Sequence, residues 1–229
     1  MTLNPKKEIL YVGDPMCAWC FGFAPVLDAL MDQFAGTVPF RFIMGGLRVE
    51  DPLLITEAFK PVLLKNWRGV TQTTGQAIST HLLSDASDFH YDSRPASQAF
   101  VAVRRLDETL ALPYYQALHH AFYMEMKDIT QPEILGHLAE EVGLNRSVVL
   151  DLMTTESVRL ETQADFELAA ACNAQAFPAL VLKEGETASI LNQGYKPLNI
   201  LQRHIADWIH GTLRTDEITP ALLIFGRAS

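Results

Sequence analysis

Residues 14–25 read DPMCAWCFGFAP, and they hold two of the chain's three cysteines, Cys17 and Cys20, separated by Ala18 and Trp19. A pair at this spacing is half of a metal site, an incidental couple in a buried helix, or a redox centre. Its flanks decide the local fold. KEILYVG (7–13) is a short β-like run, and Gly13-Asp14-Pro15 is a turn signal. From Cys17 to Phe34 the apolar residues Phe21, Ala24, Leu27, Leu30, Met31 and Phe34 recur at helical spacing, and Gly36 closes the run. VPFRFIM (38–44) alternates as a strand does and stops at Gly45-Gly46. The first 46 residues thus read β-α-β, and the connecting helix implies parallel strands. The cysteines open that helix.

A CxxC pair at a helix start suits redox chemistry for a physical reason. The first sulfur faces unpaired backbone N–H groups and the positive end of the helix dipole, which favour thiolate over thiol. The pKa of Cys17 is therefore expected to fall below the ordinary thiol value of about 8.5. Cys20, one turn along the same face, comes within disulfide reach. Cys17 would attack a substrate disulfide and Cys20 would resolve the mixed disulfide. A zinc site needs four ligands, usually with a second cysteine pair. Here the remaining sulfur is the solitary Cys172, and His81, His90, His119 and His120 lie in a helical stretch. No metal is expected.

That stretch runs from about residue 52 to 172 and shows helical periods with almost no strand signal. LITEAFKPVLLKNW (54–67) reads as a helix broken near Pro61, and RPASQAFVAVRRLDETLA (94–111) as one capped by Ser93. PYYQALHHAFYMEM (113–126) starts at Pro113, PEILGHLAEEVGL (132–144) at Pro132, and two further helical segments complete the block. Its aromatic residues Tyr114, Tyr115, Phe122 and Tyr123 read as core, with one edge near Cys17. His119 and His120 point to different helix faces. FPALVLK (177–183) and ASILNQG (188–194) then form a hairpin through EGET, and PLNILQRHIADWIHG (197–211) is a last helix. The expected fold is α/β: β-α-β, a large all-helical insertion, then β-β-α. The divisions are 1–50 with 173–229, and 51–172.

The whole chain sets outer bounds. Its 229 residues are long enough to bury roughly 70% of the unfolded surface. Eighteen basic against 27 acidic residues give a net charge of −9, with the basic ones scattered, which argues against nucleic acid or an anionic membrane as partner. No run approaches 18 apolar residues, and the apolar stretch after Lys6-Lys7 is too short for a signal segment, so a cytoplasmic location is expected. Three cysteines without an export signal point to catalysis or metal binding rather than a structural disulfide framework.

The sequence resembles the thioredoxin superfamily in three features: Cys17-Ala18-Trp19-Cys20 between strand and helix, Pro25 five residues after the second cysteine, and Phe177-Pro178 opening a strand after the insertion. Its layout is similar to the DsbA-like branch, and within that to the cytoplasmic FrnE-like proteins. The resemblance implies a thiol–disulfide oxidoreductase or disulfide isomerase. It implies that Pro25 kinks the active-site helix and that Pro178 is a cis-proline opposite the dithiol. Phe177-Pro178, with Ala18 and Trp19, would then support substrate binding, the backbone of Phe177 pairing with an extended disulfide-containing chain. The resemblance implies no required cofactor, with glutathione an option as reductant or cosubstrate, and a disulfide-bearing protein or a small thiol as the expected partner.

Where DsbA has Pro-His, this chain has Ala18-Trp19, so a side chain able to stabilise the thiolate is replaced by a neutral one. The pair should be less oxidising. Two other readings stand beside this one. Kappa-type glutathione transferases and hydroxychromene carboxylate isomerases share the layout, but carry serine where Cys17 stands. The other is a non-catalytic thioredoxin-like binding module. Asp14 reads chiefly as a turn former, with a proton relay as the alternative. Trp19 is open to substrate contact or to packing, and Cys172 reads as a buried structural cysteine.

Overall fold

The computed structural model describes residues 7–80 and 90–221. In chain order the helices and strands are β1 (Lys7–Gly13), α1 (Ala18–Phe34), β2 (Phe40–Met44), β3 (Leu53–Leu54), α2 (Lys60–Thr74), β4 (His90–Tyr91), α3 (Arg94–Leu106) and α4 (Ala111–Tyr123). They continue with α5 (Pro132–Glu141), α6 (Arg146–Met153), α7 (Glu156–Ala171), β5 (Ala179–Glu184), β6 (Thr187–Gln193), α8 (Leu198–His210) and β7 (Thr219–Pro220). Contacts group them into two compact units: residues 7–13, 23–45 and 165–221, and residues 14–22 with 46–80 and 90–164. Helices α1 and α7 each contribute to both.

The first unit is a five-stranded sheet in the order β2-β1-β5-β6-β7. Strands β1 and β2 are parallel, with Ile9 opposite Phe40, as a crossover helix requires. β1 pairs antiparallel with β5, and β5 with β6, whose ladder is joined by the short turn at Gly185. One core cluster gathers Leu10, Val12, Ile43, Val181, Ile190 and Cys172. Alternate residues of a strand face one side, so Leu10 and Val12 enter this cluster together. The Lys7 ammonium is buried and donates to the Trp208 carbonyl at 2.5 Å, answering the negative end of α8. The Phe177–Pro178 peptide bond, just before β5, is cis. Strand β7 adds an edge that sequence periodicity does not show, since two residues carry no period.

The second unit is mainly helical around an aromatic core of Trp67, Phe100, Tyr114, Tyr115, Phe122 and Tyr123, all essentially inaccessible. Three expectations are corrected here. Pro61 does not break a helix; it sits in the first turn of α2, where a missing N–H is harmless. Leu53–Leu54 instead pair with His90–Tyr91 in a two-residue antiparallel ladder. Helix α4 starts at Ala111, two residues before Pro113, behind a 3₁₀ turn over Glu108–Leu110. Gly22, within α1, meets α2 closely: a Cβ there would fall 2.6 Å from Val70 Cγ1.

Candidate active site

Cys17 is the N-cap of α1. Its carbonyl accepts the first intrahelical bond, from Phe21 N–H at 3.0 Å, and its sulfur accepts the Cys20 N–H at 3.3 Å, as a serine oxygen would at this position. Both side chains therefore lie on one turn, and all three cysteines are thiols. Cys17 is 5% exposed and Cys20 is fully enclosed. Pro25 lies inside α1 and lacks the N–H that would bond to Phe21.

The expected fall in the pKa of Cys17 is reversed. Burial pushes the thiol up, and the neighbouring Cys20 thiol and the Asp14 charge add to this. Only the Cys20 amide works the other way. The helix terminus does supply an N–H to sulfur, but desolvation outweighs it.

The loop before the helix is held by side chains that no motif indicated. Asp14 is completely buried; its carboxylate accepts Met16 N–H at 2.9 Å and Leu47 N–H at 2.8 Å, and also the Ser93 hydroxyl. The first of these bonds is the turn expected of an Asp before Pro. Burial raises its pKa and these donors oppose the rise. Ser93 precedes α3 but does not cap it: its oxygen takes the Arg48 N–H at 3.1 Å, and Asp92 takes the Arg94 N–H instead.

The Asp14 carbonyl accepts three donors: Cys17 N–H at 3.0 Å, the Tyr115 hydroxyl at 3.3 Å and His119 Nε2 at 3.2 Å. The Tyr91 hydroxyl donates to the Met16 carbonyl. Tyr91 and Tyr123 both feel the charge of Cys17, and burial pushes both phenols up. Tyr123 stacks on Phe21 of α1 at 5.0 Å between ring centroids. The edge of the aromatic core thus reaches the dithiol. His119 is buried while His120 is exposed, the two-face placement expected of neighbours on a helix. These contacts join residues 75 to 105 positions apart, a separation over which sequence carries no period.

Ala18 is buried. Trp19 is half-buried and its indole N–H donates to Asn66 of α2 at 3.1 Å. In the sheet unit, Pro178 is buried and Phe177 partly so, its ring lying against Gly45. Cys172 is in that unit's core, and burial pushes its thiol up to about 11. Among the described residues no three His, Cys, Asp or Glu side chains assemble as a metal-binding group. His81 lies outside the described residues. No helix among them is long and apolar enough to cross a membrane.

With this geometry in place, comparison with known proteins is informative. The DSBA-like thioredoxin domain family matches residues 8–206, from the first strand into the last helix. The chain belongs to that family. The solved structure of a candidate protein disulfide isomerase from Nitrosomonas europaea is similar at 28% identity and TM-score 0.83, covering 90% of this chain and 98% of that one. The cytosolic disulfide reductase DsbM of Pseudomonas aeruginosa, solved with glutathione, shares the fold at 23% identity and TM-score 0.69, covering 89% and 96%. The ClpXP adapter protein SpxH of Bacillus subtilis is 21% identical over 77% of this chain. The chain spans 59% of that relative's length. As in the expected DSBA-like layout, the two motif-bearing segments are separated by the helical stretch.

Proposed function

We propose that this DSBA-like chain catalyses thiol–disulfide exchange as a reductase or isomerase in a reducing cytoplasm. The observation that carries the reading is the Cys20 N–H on Cys17 Sγ at the start of α1, which puts both sulfurs on one turn. The Cys17 thiolate attacks one sulfur of a substrate disulfide, forming a mixed disulfide and expelling a thiolate that takes a proton. Cys20 then attacks Cys17 Sγ, releasing the second substrate thiol and leaving a Cys17–Cys20 disulfide. Glutathione in very large excess over its disulfide drives the return to the dithiol, two molecules leaving as glutathione disulfide. Phe177-Pro178 is assigned to substrate docking on the strength of the family resemblance.

The direction of flux is argued from the site. A dithiol is a strong oxidant when its reduced form is stabilised. Here the reduced form lacks that support: Cys17 is desolvated, the charge nearest in the loop is the Asp14 carboxylate, and Ala18-Trp19 adds no cation. Equilibration with glutathione redox buffers, followed by mass spectrometry of the alkylated protein, tests this. The pair is expected to be converted to the disulfide in buffers where glutathione is mostly reduced; a dithiol that persists under oxidising ratios overturns the assignment.

The SpxH similarity favours a second reading, a binding module that hands a partner to other machinery. A variant with both cysteines replaced by serine decides between them: retained partner binding beside a redox-silent wild type supports the module, and lost exchange beside an active wild type supports the enzyme.

A further inference from the structure

The loop from Asp14 to Cys17 is pinned at nearly every polar backbone atom. The peptide joining Met16 to Cys17 is held at both ends, its carbonyl by the Tyr91 hydroxyl and its N–H by the Asp14 carbonyl. The Asp14 carbonyl in turn takes Tyr115 and His119, and the Met16 N–H takes the Asp14 carboxylate. Pro15 has no N–H to satisfy. Two of the holding side chains come from α4 and one from β4, in the same unit as the loop. A buried carbonyl is ordinarily satisfied by one or two donors; three on Asp14 exceed what closing the turn requires.

We propose that Tyr91 and His119 are positioning residues that set the reactivity of Cys17 by engaging these two carbonyls in hydrogen bonds beside it. The inference rests on the dithiol reading above. Each carbonyl carries the negative end of a peptide dipole, and in a desolvated site an unmatched dipole disfavours a thiolate nearby. Tyr91 and His119 match the two dipoles with a donor, and they keep the turn tight enough for the Cys20 N–H to reach Cys17 Sγ. The titratable groups facing Cys17 are Cys20 on its own helix, Asp14 in the loop, Tyr91 on β4 and Tyr123 on α4; Asp92 and Arg48 act on Asp14 and Tyr91 from outside.

The test is the pH dependence of Cys17 alkylation by iodoacetamide in the full chain, in a Cys20→Ser background and followed by mass spectrometry. Tyr91→Phe and His119→Phe are expected to slow alkylation at pH 7 by about tenfold and to move the midpoint upward by about one pH unit. His119→Gln, whose amide N–H can occupy the Nε2 position, is expected to recover most of the loss. Unchanged profiles in folded Tyr91→Phe and His119→Phe proteins overturn the proposal, as does a loss that His119→Gln fails to relieve. Should His119→Phe not fold, Tyr91→Phe, which removes one oxygen atom, carries the decision. Alkylation reads the sulfur rather than turnover. A wild type that alkylates but never exchanges with glutathione disulfide therefore fails the functional reading and leaves this one standing.

Discussion

His119 Nε2 lies 3.2 Å from the carbonyl oxygen of Asp14, and because that oxygen can only accept, the imidazole carries its proton on Nε2. Nδ1 is then a bare acceptor, buried and without a hydrogen-bond partner. Protonating it would place a charge in an aromatic core, and burial accordingly holds the pKa of His119 down to about 4 from 6.5. The unfolded chain therefore binds a proton that the folded chain refuses between those values. Stability from this residue is complete above pH 6.5 and is lost as pH falls through 4, by about 3 kcal/mol in all. Urea midpoints between pH 4 and 7 should fall more steeply with acid in the wild type than in His119→Asn. Parallel curves would refute this.

The order of the two sulfurs has a direct consequence. In the proposed exchange Cys17, the N-cap, is the first nucleophile, and Cys20, deeper and fully enclosed, is the resolving thiol. Cys20→Ser should accumulate mixed disulfides with substrates or glutathione, visible as mass adducts removed by dithiothreitol. Cys17→Ser should reduce exchange to background. Equal residual activity in both variants would contradict the roles.

Gly22 holds the first turns of α1 against α2. A Cβ would meet Val70 Cγ1 at 2.6 Å and Thr74 Cγ2 at 2.9 Å. Gly22→Val should destabilise the protein by about 1–3 kcal/mol through overpacking, measured as a lower denaturation midpoint. Because α1 carries both cysteines, exchange should slow as well. Pairing it with Val70→Ala, which vacates the nearest contact, should return part of the stability.

Gly45 has the corresponding role in the sheet unit. A Cβ at this position would fall 2.4 Å from Phe177 Cζ. Phe177 precedes the buried Pro178, so Gly45→Ala should displace the segment assigned to substrate docking as well as cost about 1–3 kcal/mol. Kinetics should show a larger change in KM for a protein disulfide than for glutathione disulfide. An equal effect on both would detach Phe177 from substrate docking.

Much of this protein was legible along the chain. The alternation of residues 7–13 and 38–44, the helical period between them and the Gly-bounded hairpin after residue 176 define a β-α-β and β-β-α frame, because burial on one face imposes a period that side chains record. The cysteine pair was legible too, since its chemistry depends on a three-residue spacing. The misreadings at Pro61 and Ser93 share a cause. Proline is compatible with both the first turn of a helix and its interruption, and a serine hydroxyl can cap a helix or bond elsewhere; neighbours distant in sequence choose between these.

The sequence by itself thus determined the strands, the helices and the two sulfurs at a helix start, all consequences of local spacing. Tertiary structure decided how those sulfurs are tuned. Whether Cys17 is favoured as thiolate depends on its desolvation and on the direction of each dipole around it. The side chains that govern both, Tyr91, Ser93, Tyr115 and His119, reach the Asp14–Cys17 loop from 75 to 105 positions away or from elements that only folding brings near. Opposing effects meet at that sulfur, burial raising its pKa and the Cys20 amide lowering it, and burial is the larger.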